Sequence, residues 1–396
     1  MSKDRILKIV SSVILILFCI QYIPLESRAG VSILKLSVSM LCPLILIAYS
    51  FKASKVMILS LVYYLLVVIA ALRFPQSLRW STIIYLGTFI IVFVTYNNLL
   101  YVNKVFTTSY YMKLLRFLIG SYIVVLIIQQ IFILIGIKYF PLINLTQNLN
   151  RGIGANSLSY EPSTAAMVLC FAFLSLLRMH EISYGYKPSV KDIYRKEKWL
   201  VIGFLWSMLT MGSGTAFVCL ALLSIYFLDI MKKNIIKTIC ALIVLICIFF
   251  FVDYEPLNRA RNTIEAFFSL NIDNAILADA SSAYRTQLWI NTLTKLDLSS
   301  FNGWLGNGVD YGQLSNESFF NPHVMIGSIA DYGFMSFLIL VLIVYNSMIR
   351  YFFSLETLFW CIILLATLNN EPFRWGCMMM FATVRYFQIN ESKNID

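Results

Sequence analysis

Residues 80–100 read WSTIIYLGTFIIVFVTYNNLL, from Trp80 to Leu100 without one charged side chain. A run of roughly 20 apolar residues is what an α-helix needs to cross the hydrocarbon of a bilayer. Outward from this stretch, comparable runs recur near 6–24, 31–50, 56–72, 114–137, 160–177, 199–212, 215–230, 234–252, 322–348, 353–369 and 374–389. They predict an all-α, polytopic membrane protein of about 12 transmembrane helices. Composition agrees: 59% of the 396 residues are hydrophobic and 13% charged. A soluble chain of this length carries about 25% charged residues.

The loops between these runs differ in charge. One side collects Lys3, Arg5, Lys8, Lys52, Lys55, Lys104, Lys113, Arg116, Lys232, Lys233 and Lys237, and a dense basic group between Arg178 and Lys198. The other side is sparser, with Arg73, Arg79, Arg151, Arg259, Arg261 and Arg285 among its cations. The positive-inside rule then places both termini in the cytoplasm. A formal net charge of +11 anchors loops against anionic lipid and calls for no nucleic-acid partner. The N-terminus is similar to a secretory signal, yet Gln21-Tyr22-Ile23-Pro24 offers no small-residue cleavage site, so the first span is expected to be retained. All eight cysteines fall in apolar runs and read as packing residues, and two histidines in the whole chain argue against a zinc centre.

Residues 1–396 read as a single integral membrane domain without internal repeats. Its loops are a smaller outer one (139–159), a basic cytoplasmic one (178–198) and a large outer one (253–320). In the large loop, Leu257, Ala260, Ile264, Phe267 and Phe268 recur at helical spacing, as do Leu288, Trp289, Leu293 and Leu296. Two amphipathic helices on the membrane face would roof a cavity between the spans. Gly303, Gly306, Gly308 and Gly312 predict tight turns before the next span. Glu161-Pro162, Asn321-Pro322 and Glu371-Pro372 mark helix starts, because proline suits the first helical position. Helix N-termini thus collect on the outer side, where their positive dipole ends suit an anionic ligand such as a diphosphate.

Four residues stand out chemically. Arg151 and Arg285 lie in separate outer loops, and an arginine fork matches phosphate oxygens. His323 sits in the first turn after Asn321-Pro322, where the helix N-terminus disfavours imidazolium and leaves a neutral ring able to accept a proton. Glu161 reads as a second base, an acceptor ligand or a helix cap. Each has a plainer reading: Arg151 as an interfacial cation snorkelling to the headgroups, His323 as a hydrogen-bonded interface histidine. Arg259 and Arg261 cannot both face one pocket from neighbouring helical positions. His180, beside Glu181, reads as solvated, while Lys35 and Arg385 fall within spans, where charges are usually paired. Asp253 and Glu255 form a D-x-E at a helix exit, too little to imply a metal.

In chain order, four stretches resemble the bacterial O-antigen polymerase and O-antigen ligase superfamily. They are Arg151-Gly152-Ile153-Gly154 with Glu161-Pro162-Ser163, then the turn Met211-Gly212-Ser213-Gly214-Thr215-Ala216. Next come Arg285 to Trp289 with Trp304-Leu305-Gly306-Asn307-Gly308, and last Asn321-Pro322-His323 with Asp331-Tyr332-Gly333. Val324 stands where the family's N-P-H-N has its second asparagine, Asp331 where glutamate is common, and Gly214 where arginine often follows the serine.

The resemblance implies a helical membrane glycosyltransferase (GT-C-like) fold in a bacterial inner membrane, with a periplasmic active site. It implies transfer of a saccharide from undecaprenyl diphosphate to a sugar hydroxyl, without metal or cofactor. Polymerisation of lipid-linked repeat units is favoured. Ligation of the polymer to lipid A core is the alternative within the family, and a lipid-linked oligosaccharide flippase or transporter the alternative from another class. In this reading Arg151 and Arg285 meet the diphosphate and His323 is the base, with Glu161 behind it. Asn321, Arg259, Arg261 and Trp289 bind substrate. The implied partners are the undecaprenyl-diphosphate-linked oligosaccharide, membrane lipids, a chain-length regulator and a flippase.

Overall fold

A computed structural model describes residues 2–23, 32–137, 139–146, 152–227, 251, 253, 258, 261, 296–309, 311, 327–361 and 372–391. Apart from one short hairpin, the regular structure among these residues is helical. Six helices are long and apolar enough to cross a membrane: Ile33–Ser50, Lys55–Arg73, Trp80–Asn103, Thr108–Leu134, Pro162–Tyr184 and Ile329–Ser347. By helix length and hydropathy the chain is a multi-pass membrane protein. The expected span 234–252 and most of the large outer loop lie outside the described residues, including its two expected amphipathic helices. Contacts divide the chain into two compact units, one of Met1–Cys19, Val31–Thr107 and Ala283–Asp396, the other of Ile20–Gly30 and Thr108–Ser282.

The first unit contains α1 (Lys3–Cys19), α2 (Ile33–Ile45), α3 (Lys55–Arg73), α4 (Trp80–Asn103), α9 (Phe301–Leu305), α10 (Gly327–Ser347), α11 (Leu355–Phe359) and α12 (Pro372–Glu391). α10 packs along α3, and α12 along α1 and α4. Lipid gives apolar helices no hydrophobic reason to associate, so close packing and interhelical hydrogen bonds must do so. A Cβ at Gly376 of α12 would lie 2.8 Å from the Phe18 carbonyl and the Cys19 nitrogen of α1; the absent side chain lets the two backbones touch. Tyr96 and Thr383 share a buried 2.8 Å hydrogen bond between α4 and α12, beside the rings of Phe18, Phe89, Phe93 and Trp375. α2 passes Pro43 into a π-helical turn, Leu46–Ser50, and the chain breaks before α3. The buried Asn98 amide donates to the carbonyls of Ser50 and Lys52 there, supplying hydrogen bonds that lipid cannot. Arg385 of α12 donates to the carbonyls of Ile349 and Asn346 at the end of α10.

The second unit contains α5 (Thr108–Leu134), a hairpin of β1 (Tyr139–Phe140) and β2 (Leu145–Thr146), α6 (Pro162–Tyr184), α7 (Val190–Thr210) and α8 (Gly214–Ile225). α6 is its centre, buried along most of its length against α5, α7 and α8. Of the expected turn Met211–Ala216, Met211–Ser213 link α7 to α8, and Gly214–Ala216 already belong to α8. The expected basic loop 178–198 is largely helical instead. α6 runs on to Tyr184, and α7 starts at Val190 behind a capping box of Ser189 and Asp192. The end of α6 and the start of α7 each have a buried face, so packing completes helices that charge alone would leave open.

That packing buries charge. α7 kinks at Glu197, whose carboxylate accepts from Arg116 Nε and Nη2 of α5, the latter at 2.6 Å, and from His180 Nε2 of α6 at 2.9 Å. His180 is fully buried, which corrects its reading as solvated. Burial pushes the Glu197 carboxyl up, but the hydrogen bonds and charges of His180 and Arg116 outweigh it and leave the group below the ordinary carboxylate range. A carboxylate lowered on folding stabilises above its unfolded pKa, and loses that contribution only as pH falls through the lower, folded value. The three-helix clasp is therefore expected to survive mild acid. Glu197→Ala strands two donors and should cost about 3 kcal/mol, read as a lowered melting midpoint of detergent-solubilised protein at neutral pH. The wild type should lose that advantage only at pH below the ordinary carboxylate range.

Candidate functional site

In the first unit, two stretches singled out in the sequence are one structural piece. α10 is broken at Gly333, whose φ of 82° and ψ of 164° lie outside the helix. The break takes the carbonyls of Ala330 and Asp331 out of regular helical pairing. Asn307 donates its backbone and side-chain N–H groups to Ala330, and Gly308 donates its N–H to Asp331, each at 3.0 Å. The glycines make this approach possible. A Cβ at Gly306 would stand 2.1 Å from the Asp331 oxygen, and one at Gly333 would stand 2.1 Å from the Trp304 oxygen. Both residues also have φ of 82°, left-handed backbone that side chains rarely adopt.

Arg73, at the end of α3, holds the crossing from beside it. Its guanidinium donates to the Gly306 carbonyl at 3.2 Å and to Asn302 Oδ1 at 2.7 Å, and lies over the Phe301 ring at 4.7 Å. Gly308 lies against Phe74 and Ser77, just beyond Arg73. The short helix α9 starts on Ser300, and Trp304 reaches back to the Leu298 carbonyl. Asp331 is almost fully buried. The sequence reading missed Arg73 and Asn302, counting the arginine only as one more outer cation. Its position at the end of an apolar run was visible; its partners, more than two hundred residues away in the chain, were not.

In the second unit, the described residues of the smaller loop, 139–146 and 152–159, are held by a network of hydrogen bonds. Gln129 of α5 donates to the carbonyls of Ile143 and Ser157 and accepts from the Ser157 N–H. Asn144 donates to the carbonyls of Ser157 and Ser159, and Tyr122 bonds the Ser159 hydroxyl at 3.1 Å. Gln21 Oε1 accepts from the Tyr160 N–H at 2.9 Å. These bonds hold Ser157 at a φ of 52°, which costs a non-glycine residue of order 1 kcal/mol. They deliver the chain to the start of α6 with Pro162 in the first turn. Glu161 stands at the N-cap position, exposed, but its side chain does not cap. It accepts from the Ser163 hydroxyl at 3.1 Å and remains presented to solvent.

Of the other residues expected in the site, Arg261 is partly buried and donates to Asn258 Oδ1, while Asn258 in turn donates to Asp253 Oδ1 at 2.6 Å. Asp253, half of the D-x-E, thus has a local amide partner. Arg151, Arg259, Arg285, Trp289, Asn321 and His323 lie outside the described residues. Arg374 is buried with its guanidinium over Phe373, and Glu371 is likewise outside the described residues. Comparison with protein families, with curated proteins and with solved structures finds no match for this chain.

The crossing gives a direct prediction. Gly333→Ala must move backbone rather than a side chain and should destabilise the protein by about 2–4 kcal/mol, read as lost folded protein in membranes. Arg73→Lys keeps the charge but forfeits the fork; an intermediate loss is expected, and a melting midpoint equal to wild type would show that the guanidinium does not hold the crossing.

Proposed function

We propose that this chain is an O-antigen or related surface-polysaccharide polymerase: a GT-C-like membrane glycosyltransferase of about 12 spans in a bacterial inner membrane. Its termini are cytoplasmic and its chemistry is periplasmic. The observation that carries the reading is the glycine crossing. The L-G-x-G stretch at Leu305–Gly308 and the D-Y-G stretch at Asp331–Gly333, both part of the resemblance, depend on each other's backbone. A built outer loop presenting Glu161 at the start of α6 supports it further.

The chemistry follows from the donor. The bond between the anomeric carbon and the diphosphate oxygen breaks, a bond to the acceptor hydroxyl forms, and that hydroxyl's proton passes to a base. Undecaprenyl diphosphate is already a good leaving group, so the protein's main task is positive charge where negative charge develops. Arg151 and Arg285 are assigned that task. His323 is assigned the proton, with Glu161 as the second candidate, and Asn321, Arg259, Arg261 and Trp289 the saccharide and phosphate contacts. No cofactor is required. The lipid tail needs only an apolar flank, and a chain-length regulator and a flippase are the expected partners.

The test is incubation of purified protein with synthetic undecaprenyl-diphosphate repeat units, read on a gel. A polymer ladder is expected from the wild type. Arg285→Ala and His323→Ala should each abolish it at unchanged protein level. Ladders of wild-type length from both variants would remove these residues from the chemistry. A deletion strain showing single repeat units on lipid A core agrees with a polymerase; one with no O-antigen on core points to a ligase. Transport of lipid-linked units without polymer would replace the enzyme with a transporter.

A further inference from the structure

The start of α7 carries a pattern that the glycosyl-transfer reading does not use. Ile193 and Glu197 form its buried face, fixed by Arg116 and His180. Beside that face Val190 and Tyr194, one helical turn apart, are exposed, and past the kink Trp199 is 79% exposed. Lys191 and Arg195, also one turn apart, project from the next face and are exposed, with exposed Lys198 beyond the kink over the Trp199 ring at 5.5 Å. The apolar surface continues along α7 through exposed Ile202, Leu205, Trp206 and Leu209. Neighbouring cations lie over rings: exposed Lys196 over Tyr184 at 4.7 Å, and half-buried Arg178 and Lys187 over Tyr226, with Arg178 also paired to Glu181. Exposed Asp192, adjacent to Lys191, is held by Ser189 in the capping box, and its charge also faces Lys191 and Arg195.

We propose that Val190–Trp199 lies in the headgroup layer of the membrane and seats the phosphate of an anionic phospholipid between Lys191 and Arg195, with Lys198 at its edge. Three observations choose this partner. The kink at Glu197 separates this turn from the long apolar part of α7, and the three-helix clasp fixes it there. Tyr194 and Trp199 are the amphipathic rings that favour the boundary between lipid and water. The exposed apolar strip is continuous with the outward surface of α7, where a soluble acidic protein would have to displace lipid, whereas a phospholipid supplies both the acyl flank and the negative charge. This inference stands apart from the enzymatic one, since it needs no reaction.

Purified full-length protein in a neutral detergent, titrated with phosphatidylglycerol or phosphatidylcholine and read by native mass spectrometry, tests it. The wild type should retain phosphatidylglycerol in clear preference, and excess inorganic phosphate should not displace it. Lys191→Gln/Arg195→Gln should weaken phosphatidylglycerol binding by about tenfold or more, leaving phosphatidylcholine binding unchanged. Lys191→Arg/Arg195→Lys, which keeps both charges, should retain the preference. Equal binding of the two lipids by the wild type, undiminished phosphatidylglycerol binding by the glutamine variant, or full displacement by inorganic phosphate would each overturn the proposal. The wild-type comparison decides the matter even where a variant fails to fold.

Discussion

A backbone amide or carbonyl left unpaired in hydrocarbon costs several kcal/mol, and this requirement shapes several irregular points in the described structure. Where a helix continues, the requirement is met along the chain. Where one stops or breaks near the membrane, a polar side chain from a distant segment takes over. Asn98 does so after the π turn of α2, Arg385 at the end of α10, and Gln129 with Asn144 beneath the smaller outer loop. At Gly333 the helix breaks in mid-course, and Asn307 and Gly308 take the carbonyls that the break releases.

Seen this way, the glycines of the crossing have one job: to let two backbones approach closer than any side chain allows. Arg73 complements them, trading a guanidinium for a carbonyl, an amide oxygen and the face of a ring. Two of its donors hold the loop in place. Glu161 is the opposite case. Its backbone is fixed by an extensive hydrogen-bonded loop while its carboxylate stays exposed.

Much of this was legible from residue order. Apolar length marked the spans, Glu161-Pro162 marked the start of α6, and the turn before α8 fell within Met211–Ala216. The glycine-rich stretch and Asp331-Tyr332-Gly333 were both noticed, though not their dependence on each other. The basic segment 178–198 was read as a loop, but it holds the end of α6 and the first turns of α7. Charge density is a surface signal, and it hid turns of α7 whose inward face carries Ile193 and Glu197. His180 was misread for the same reason: it borders charged residues in sequence, but faces a buried carboxylate in space.

The sequence by itself determined that this is a helical membrane protein and where most of its described helices run. These are properties of single segments, set by apolar length and by the backbone preferences of proline and glycine. Only the tertiary structure decided that Arg73 clamps Gly306, that Gly306 and Gly333 cross, and that Arg116, His180 and Glu197 share one buried site. Such contacts join residues tens to hundreds of positions apart, and a hydrogen bond depends on where two atoms come to rest, which no local pattern records.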